Sequence, residues 1–203
     1  MEIMQESKTV EALNNVYTYS QYRELIDRLL LENKTTGSNQ SEGYVEYTRQ
    51  NVHRMNRMDE WIEIPESISN VHNKPLRFVA ISEAWCGDAS QNLPVIAALV
   101  NRLPLVTLEI ILRDEHVELM DKFLTNGGRA IPKLLIIEPS TNKVLASWGP
   151  RPKQAQDIVI EMKKNPDFNQ QDMAKELFTW YAKDKGKSVL NELEELLSKL
   201  INI

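Results

Sequence analysis

The chain has 203 residues, of which 42% are hydrophobic and 26% charged, as in a folded globular protein rather than a disordered or fibrous one. Its 24 basic and 29 acidic residues give a net charge of −5, and the basic residues are scattered, so we expect no nucleic-acid binding. The length favours one core domain with additional segments. No apolar run reaches the roughly 18 residues of a membrane span, so we expect no membrane partner.

The first third of the chain is predicted to be helical and polar. Apolar residues recur at helical spacing over 18–31, where Thr18 and Gln21 have the spacing of a capping box. A polar loop with two glycines follows over 32–43, and a second helix is predicted over 46–62. The apolar stripe of this second helix is interpreted as a packing surface.

From residue 76 onward the pattern changes to alternating strands and helices. Strands are predicted over 77–82, 105–112, 133–138 and 143–148, and helices over 90–103, 114–125 and 152–164. The second strand is almost continuously apolar, as in a parallel sheet covered on both faces, whereas the short link between the last two strands predicts an antiparallel hairpin. This order predicts an α/β fold, a mixed sheet with helices on both faces.

Two more amphipathic helices are predicted at the C-terminus, over 170–182 and 188–201. Their apolar faces need a surface to cover, which is either the rest of the chain or another subunit. The chain is therefore divided into an N-terminal helical extension over 1–73, a core over 74–164 and a C-terminal helical extension over 165–203.

The cysteine and histidine content limits the possible sites. Cys86 is the single cysteine, so no intramolecular disulfide can form. His53, His72 and His116 stand in separate segments, without the close spacing of a zinc site, and we expect no metal. The first ten residues lack the basic and then apolar pattern of a secretory signal, which predicts a cytoplasmic protein.

Cys86 is the leading candidate for chemistry. It lies where the first core strand turns into a helix, at the edge of the sheet where α/β folds place functional groups. Free N–H groups and the positive end of the helix dipole there favour a thiolate. The carboxylates of Glu83 and Asp88 disfavour a second negative charge, so the sequence leaves the direction of the pKa change open. A buried, inert cysteine is the alternative.

Residues 78–161 resemble the thioredoxin superfamily. The matching residues are the W-C-G sequence at Trp85, Cys86 and Gly87, the helix proline Pro94, the R-x-I-P loop at Arg129, Ile131 and Pro132, and Gly149 after the last strand. The resemblance implies a thioredoxin-like sheet, a cis peptide before Pro132, and a groove in which the backbone of Ile131 pairs with an extended substrate segment. It implies a catalytic Cys86, and substrate or partner contacts from Trp85, Gly87, Asp88, Arg129, Ile131 and Pro132.

Departures from the family pattern bear on function. Ala89 stands in place of the second cysteine of the C-x-x-C motif, and Ala80 replaces the family's buried acid. With one thiol the chain cannot resolve a mixed disulfide by itself. Arg129 either stabilises a Cys86 thiolate or is a surface arginine paired with a carboxylate, and Lys133 is predicted to be solvated.

Two hypotheses follow. In the first, Cys86 carries out monothiol exchange with disulfide-containing or thiol-modified proteins, and a low-molecular-weight thiol such as glutathione or bacillithiol resolves the mixed disulfide; no other cofactor is expected. In the second, the protein is a redox-inactive thioredoxin-fold binding or adaptor module. Peroxide chemistry at Cys86 is a third, weaker possibility, because no second thiol is present.

Overall fold

The computed structural model describes residues 2–4, 8–66, 68 and 73–201, so the prediction for His72 lies outside the described residues. The elements in this part of the chain are β1 (Glu2–Ile3), α1 (Tyr19–Leu31), α2 (Glu42–Trp61), β2 (Leu76–Ser82), α3 (Gly87–Val100), β3 (Val106–Leu112), a 3₁₀ helix (Arg113–Glu115), α4 (Val117–Met120), β4 (Lys133–Glu138), β5 (Lys143–Trp148), α5 (Lys153–Lys163), α6 (Gln170–Asp184) and α7 (Lys187–Leu200).

The strands form one mixed sheet in the order β1-β5-β4-β2-β3. β2 and β3 are parallel, whereas β4 is antiparallel to both β2 and β5. The predicted α/β class and the hairpin of β4 and β5 are therefore confirmed. The two-residue strand β1, which pairs antiparallel with β5, was not predicted. This topology brings the carboxyl ends of β2 and β5 and the amino end of β4 to the same edge of the sheet.

Both predicted N-terminal helices are present, and the second is longer than predicted. The capping box of α1 is present: the Thr18 hydroxyl accepts from the Gln21 N–H at 3.2 Å, and the Gln21 side chain accepts from the Thr18 N–H at 2.9 Å. α2 begins at Glu42, four residues before the predicted start, and packs against α3. Arg23 of α1 joins the two helices through a 2.6 Å ion pair with Asp59.

The helix predicted over 114–125 is wrong. Tertiary contacts hold the start of this segment in a 3₁₀ turn: the Asp114 carboxylate accepts from the Ser38 N–H at 3.0 Å, and the Glu83 carboxylate accepts from the Asp114 N–H at 2.9 Å. The backbone then leaves helical geometry at His116, with φ −127° and ψ 44°. Only the one-turn helix α4 follows, because the contacts of the 3₁₀ turn prevent continuous i to i+4 hydrogen bonding.

The C-terminal helices cover the chain's own core. The apolar face of α7, which includes Leu193, Leu196 and Leu197, is buried against α3 and β5. Trp148 of β5 donates to Glu192 of α7 at 2.7 Å. α6 packs on α5 instead. Among the described residues, no helix has the length and apolarity needed to cross a membrane.

Candidate functional site

Cys86 is the N-cap of α3. The chain turns directly after β2, with the Cys86 N–H donating to the Glu83 carbonyl at 3.1 Å. The sulfur then accepts from the Ala89 N–H at 3.4 Å, which satisfies one of the free donors of the first helical turn and starts α3 three residues before the predicted helix. The thiol also donates to the Ile131 carbonyl at 3.2 Å, and only 8% of the residue is exposed.

The environment of Cys86 favours the neutral thiol. Burial raises the pKa of Cys86 to about 12, and the negative charge of Asp88 acts in the same direction. The N–H groups of Ala89 and Asp88 and the positive charge of Arg151 oppose this effect without reversing it. Desolvation penalises the charged form of any acid, and here it outweighs the helix dipole. The direction of the pKa change, open from the sequence, is therefore upward.

The carboxylate of Asp88 is held by Arg151 and Tyr181. Arg151 forms an ion pair with its Oδ2 atom, with the Arg151 Nε at 3.0 Å, and Tyr181 donates to Oδ1 at 2.7 Å. The Asn92 amide donates to the Tyr181 hydroxyl at 3.3 Å and to the Pro150 carbonyl at 3.1 Å. The network links α3, the segment after β5, and α6, so the charge next to Cys86 is fixed by residues distant in sequence.

Aromatic side chains surround the loop that carries Cys86. The ring centroids of Tyr44 and Trp85 are 5.1 Å apart, and a Cβ atom on Gly87 would lie 2.8 Å from Phe178 and 3.6 Å from Tyr47. We call Tyr44, Tyr47, Trp85 and Phe178 the aromatic rim. Two guanidinium groups stack on the aromatic rim, that of Arg113 at 4.8 Å from the Trp85 ring and that of Arg54 at 3.9 Å from the Phe178 ring.

The loop before β4 faces Cys86 through its backbone. Ile131 is buried and its carbonyl accepts from the thiol, and the Ile131–Pro132 peptide bond is cis. Arg129, in contrast, forms an exposed ion pair with Asp121 at 2.6 Å, which is the second of the two sequence alternatives. The expectation that Lys133 is solvated is wrong: the residue is buried at the start of β4, where it donates to Thr125 at 2.7 Å.

Buried polar groups lie beneath the same loop. Glu83 is fully buried, and desolvation raises the pKa of its carboxyl group. The Thr36 hydroxyl accepts from the Ala84 N–H at 2.7 Å, and the buried Asn51 amide donates to the Ala84 carbonyl at 2.8 Å. The N-terminal segment thus fixes the backbone two residues before Cys86.

Several residues of this site were missed by the sequence reasoning, namely Asn51, Arg54, Arg151, Phe178 and Tyr181. Only Arg151 could have been found from the sequence. It follows β5, which ends at the same edge of the sheet as β2, and this position places it near Cys86. The histidines do not join the site: His53 is exposed, and the His116 ring lies within 3.0 Å of the Leu112 and Asn14 carbonyls. The described residues contain no group of three or more His, Cys, Asp or Glu able to hold a metal ion.

Comparisons with known proteins give one family and two solved structures. A thioredoxin family model matches residues 37–163. The crystal structure of PA1234, a protein of unknown function from Pseudomonas aeruginosa, superposes with a TM-score of 0.57 at 16% identity, covering 91% of this chain and 99% of that one. An HIV epitope scaffold is 17% identical over 88% of this chain and 99% of its own, with a TM-score of 0.49. No curated protein matches the sequence. The family model covers more than half of the chain, and the chain belongs to the thioredoxin family.

Proposed function

We propose that this protein is a thioredoxin-fold binding module in which Cys86 is a neutral thiol in the wall of the binding groove. The observation that carries the proposal is the state of the Cys86 sulfur. It is buried, and its S–H group donates a hydrogen bond to the Ile131 carbonyl. The thiolate, not the thiol, is the nucleophile in disulfide exchange. A thiol whose pKa is raised to about 12 contributes very little thiolate at neutral pH.

The surface around Cys86 supports binding of an extended polypeptide segment. Aromatic and arginine side chains are enriched among residues that dominate binding energy, and the aromatic rim with Arg54 and Arg113 has this composition. In this family an extended segment pairs with the backbone of the loop before β4, and the proposal gives the same role to the Ile131 loop of this chain. The partner proposed is therefore a protein segment in extended conformation.

The chemical half of the proposal is tested by alkylation of Cys86 with iodoacetamide as a function of pH, followed by intact mass. The denatured chain is the reference, with a pKa near the ~8.5 of a free cysteine. We expect slower labelling of the native protein at neutral pH and an inflection above that of the denatured chain. An inflection below it, with faster native labelling, would overturn the proposal.

The binding half is tested by selecting displayed random hexapeptides on the immobilised protein. Peptides that are enriched should bind the Cys86→Ala variant within about twofold of the wild type, since no bond to sulfur is needed. Failure to enrich any peptide, or loss of binding in Cys86→Ala together with an unchanged melting temperature, would count against a binding module with a structural cysteine.

Monothiol exchange is the second candidate, favoured by the hydrogen bond from the Ala89 N–H to the sulfur and by the positive charge of Arg151 nearby. In this scheme a protein carries a small thiol in a mixed disulfide. The Cys86 thiolate attacks the sulfur of the small thiol, and the protein thiolate leaves. A second small thiol then attacks the new mixed disulfide, which releases the small-thiol disulfide and regenerates Cys86. Turnover of a glutathionylated peptide with glutathione, absent in Cys86→Ser, is the result that would establish it.

A further inference from the structure

A small cavity of about 60 Å³ lies between α2, α3 and α6, on the side of Phe178 that faces Arg54. Arg54, Arg57 and Trp61 of α2 line it, together with Gln91 of α3 and Phe178 of α6. The lining contains two guanidinium groups and no acidic residue. Because the chain carries a net charge of −5, two cations beside one cavity without a carboxylate are an arrangement that needs an explanation.

Arg54 has neutral hydrogen-bond partners only. It is half-buried, and its guanidinium donates to the side-chain oxygens Oδ1 of Asn51 at 2.7 Å and Oε1 of Gln50 at 3.2 Å. Within the described part of the chain, neither Arg54 nor Arg57 takes part in an ion pair. Burial lowers the pKa of Arg54, Tyr47 opposes this effect, and the charge of Arg57 adds to it. A bound anion would offset the two effects that are unfavourable to the cation.

Gln91 provides an independent observation. The residue lines the same cavity and is 7% exposed, and its amide forms no hydrogen bond with any of the described residues. An amide without a protein partner in such a place normally binds water or a ligand. Beside two guanidinium groups, this N–H donor favours a hydrogen-bond acceptor as the ligand.

We propose that this cavity is a carboxylate-binding subsite, in which Arg54, Arg57 and Gln91 donate to the two oxygens of the ligand. A cavity of about 60 Å³ has room for a group of the size of a carboxylate. Planar guanidinium groups are suited to carboxylates because they bind both oxygens at once.

The subsite is structurally connected to the groove at Cys86. Asn51 accepts from Arg54 and donates to the Ala84 carbonyl, and Phe178 contacts both Gly87 and Arg54. We therefore assign the carboxylate and the extended segment to the same ligand. This assignment rests on the proposed function, in which the groove binds an extended segment. An acidic side chain, a chain terminus and a small dicarboxylate all supply the same chemistry.

The test uses defined probes on ¹⁵N-labelled protein, with the side-chain signals of Arg54 and Gln91 as readout. The probes are acetyl-Val-Glu-Val-Glu-Val-amide, its glutamine counterpart, acetyl-pentavaline with a free carboxyl terminus, and succinate. We expect carboxylate probes to shift both signals and the glutamine peptide to leave them unchanged. The probe that binds most tightly identifies the source of the carboxylate.

Charge-neutralising variants complete the test. Arg54→Gln and Arg57→Gln should each weaken binding at least tenfold, whereas Arg102→Gln, just beyond the end of α3 and about 16 Å from Gln91 by helical rise, should change it less than twofold. Arg54→Lys keeps the charge without the planar geometry and should give an intermediate loss, provided its melting temperature is unchanged. Equal binding of the Glu and Gln peptides, or full binding by Arg54→Gln, would overturn the subsite. Neither result alters the alkylation profile of Cys86, so the two proposals fail separately.

Discussion

Tyr181 donates a 2.7 Å hydrogen bond to Asp88, which joins helix α6 to the first turn of α3 beside Cys86. The C-terminal extension therefore takes part in the electrostatics of the motif that resembles the thioredoxin active site. Asp88 raises the pKa of Cys86, and Tyr181 and Arg151 hold Asp88 in the position from which it does so.

Asp88→Asn should make Cys86 more reactive. Removal of the carboxylate takes away one cause of the raised pKa and leaves the positive charge of Arg151 uncompensated, so the Cys86 pKa falls. We expect the alkylation rate at pH 8 to rise about tenfold, because the thiolate fraction increases as the pKa falls. The free energy of unfolding should fall by about 3 kcal/mol because Arg151 loses its buried partner. Asp121→Asn, which removes an exposed carboxylate, is the control, and an unchanged rate in Asp88→Asn would contradict this account.

Tyr181→Phe should destabilise the protein by about 1–2 kcal/mol while it preserves ring packing. The variant leaves Asp88 without its hydroxyl donor and removes one acceptor of the Asn92 amide. Urea denaturation measures the change, and Tyr44→Phe, on an exposed ring, should lie within about 0.5 kcal/mol of the wild type. Equal effects of the two variants would show that the hydroxyl of Tyr181 is not energetically important.

Gly87→Ala should be destabilising by about 1–2 kcal/mol, since the new methyl group would lie 2.8 Å from the Phe178 ring. Gly43→Ala is the matched control, because that helical glycine has nothing within 4 Å and alanine there should stabilise α2 by up to about 1 kcal/mol. In the double variant with Phe178→Ala, the cost of Gly87→Ala should disappear. A cost that remains in the double variant would mean that the strain lies in the backbone at Gly87.

Glu83→Gln should change how stability depends on pH. Burial raises the pKa of Glu83 in the folded state, so above the unfolded value of about 4.3 the folded protein retains a proton that the unfolded chain has lost. Stability therefore falls as the pH rises from the unfolded pKa to the folded pKa, and the variant lacks this loss. We expect the variant to be more stable than the wild type at pH 7, with the advantage shrinking towards pH 4. Parallel stability curves for the two proteins would exclude the effect.

The fold could be predicted from the sequence because most elements have strong local signals. β4 and β5 begin and end at the predicted residues, since continuous apolar runs and a short polar link mark them clearly. The helix predicted over 114–125 failed because its first residues are held by Ser38 and Glu83, contacts that no local pattern contains.

The candidate site could be predicted only in part, because part of it depends on contacts between residues distant in sequence. The position of Cys86 at a helix start follows from local sequence, whereas its pKa is set by burial and by partners of Asp88 that lie 63 and 93 residues further along the chain. The packing of Phe178 against Gly87 likewise depends on where α6 lies. Charge and burial at the cysteine are tertiary properties.

The turn between α6 and α7 packs tightly on α3. Gly186 has φ 79°, and a Cβ atom there would lie 2.7 Å from Val95, so this turn rests directly on the middle of α3. The C-terminal segment therefore contacts α3 at two levels, through Phe178 at Gly87 and through Gly186 at Val95. A side chain at position 186 would push the turn away from α3, and with it the end of α6 that leads into the turn.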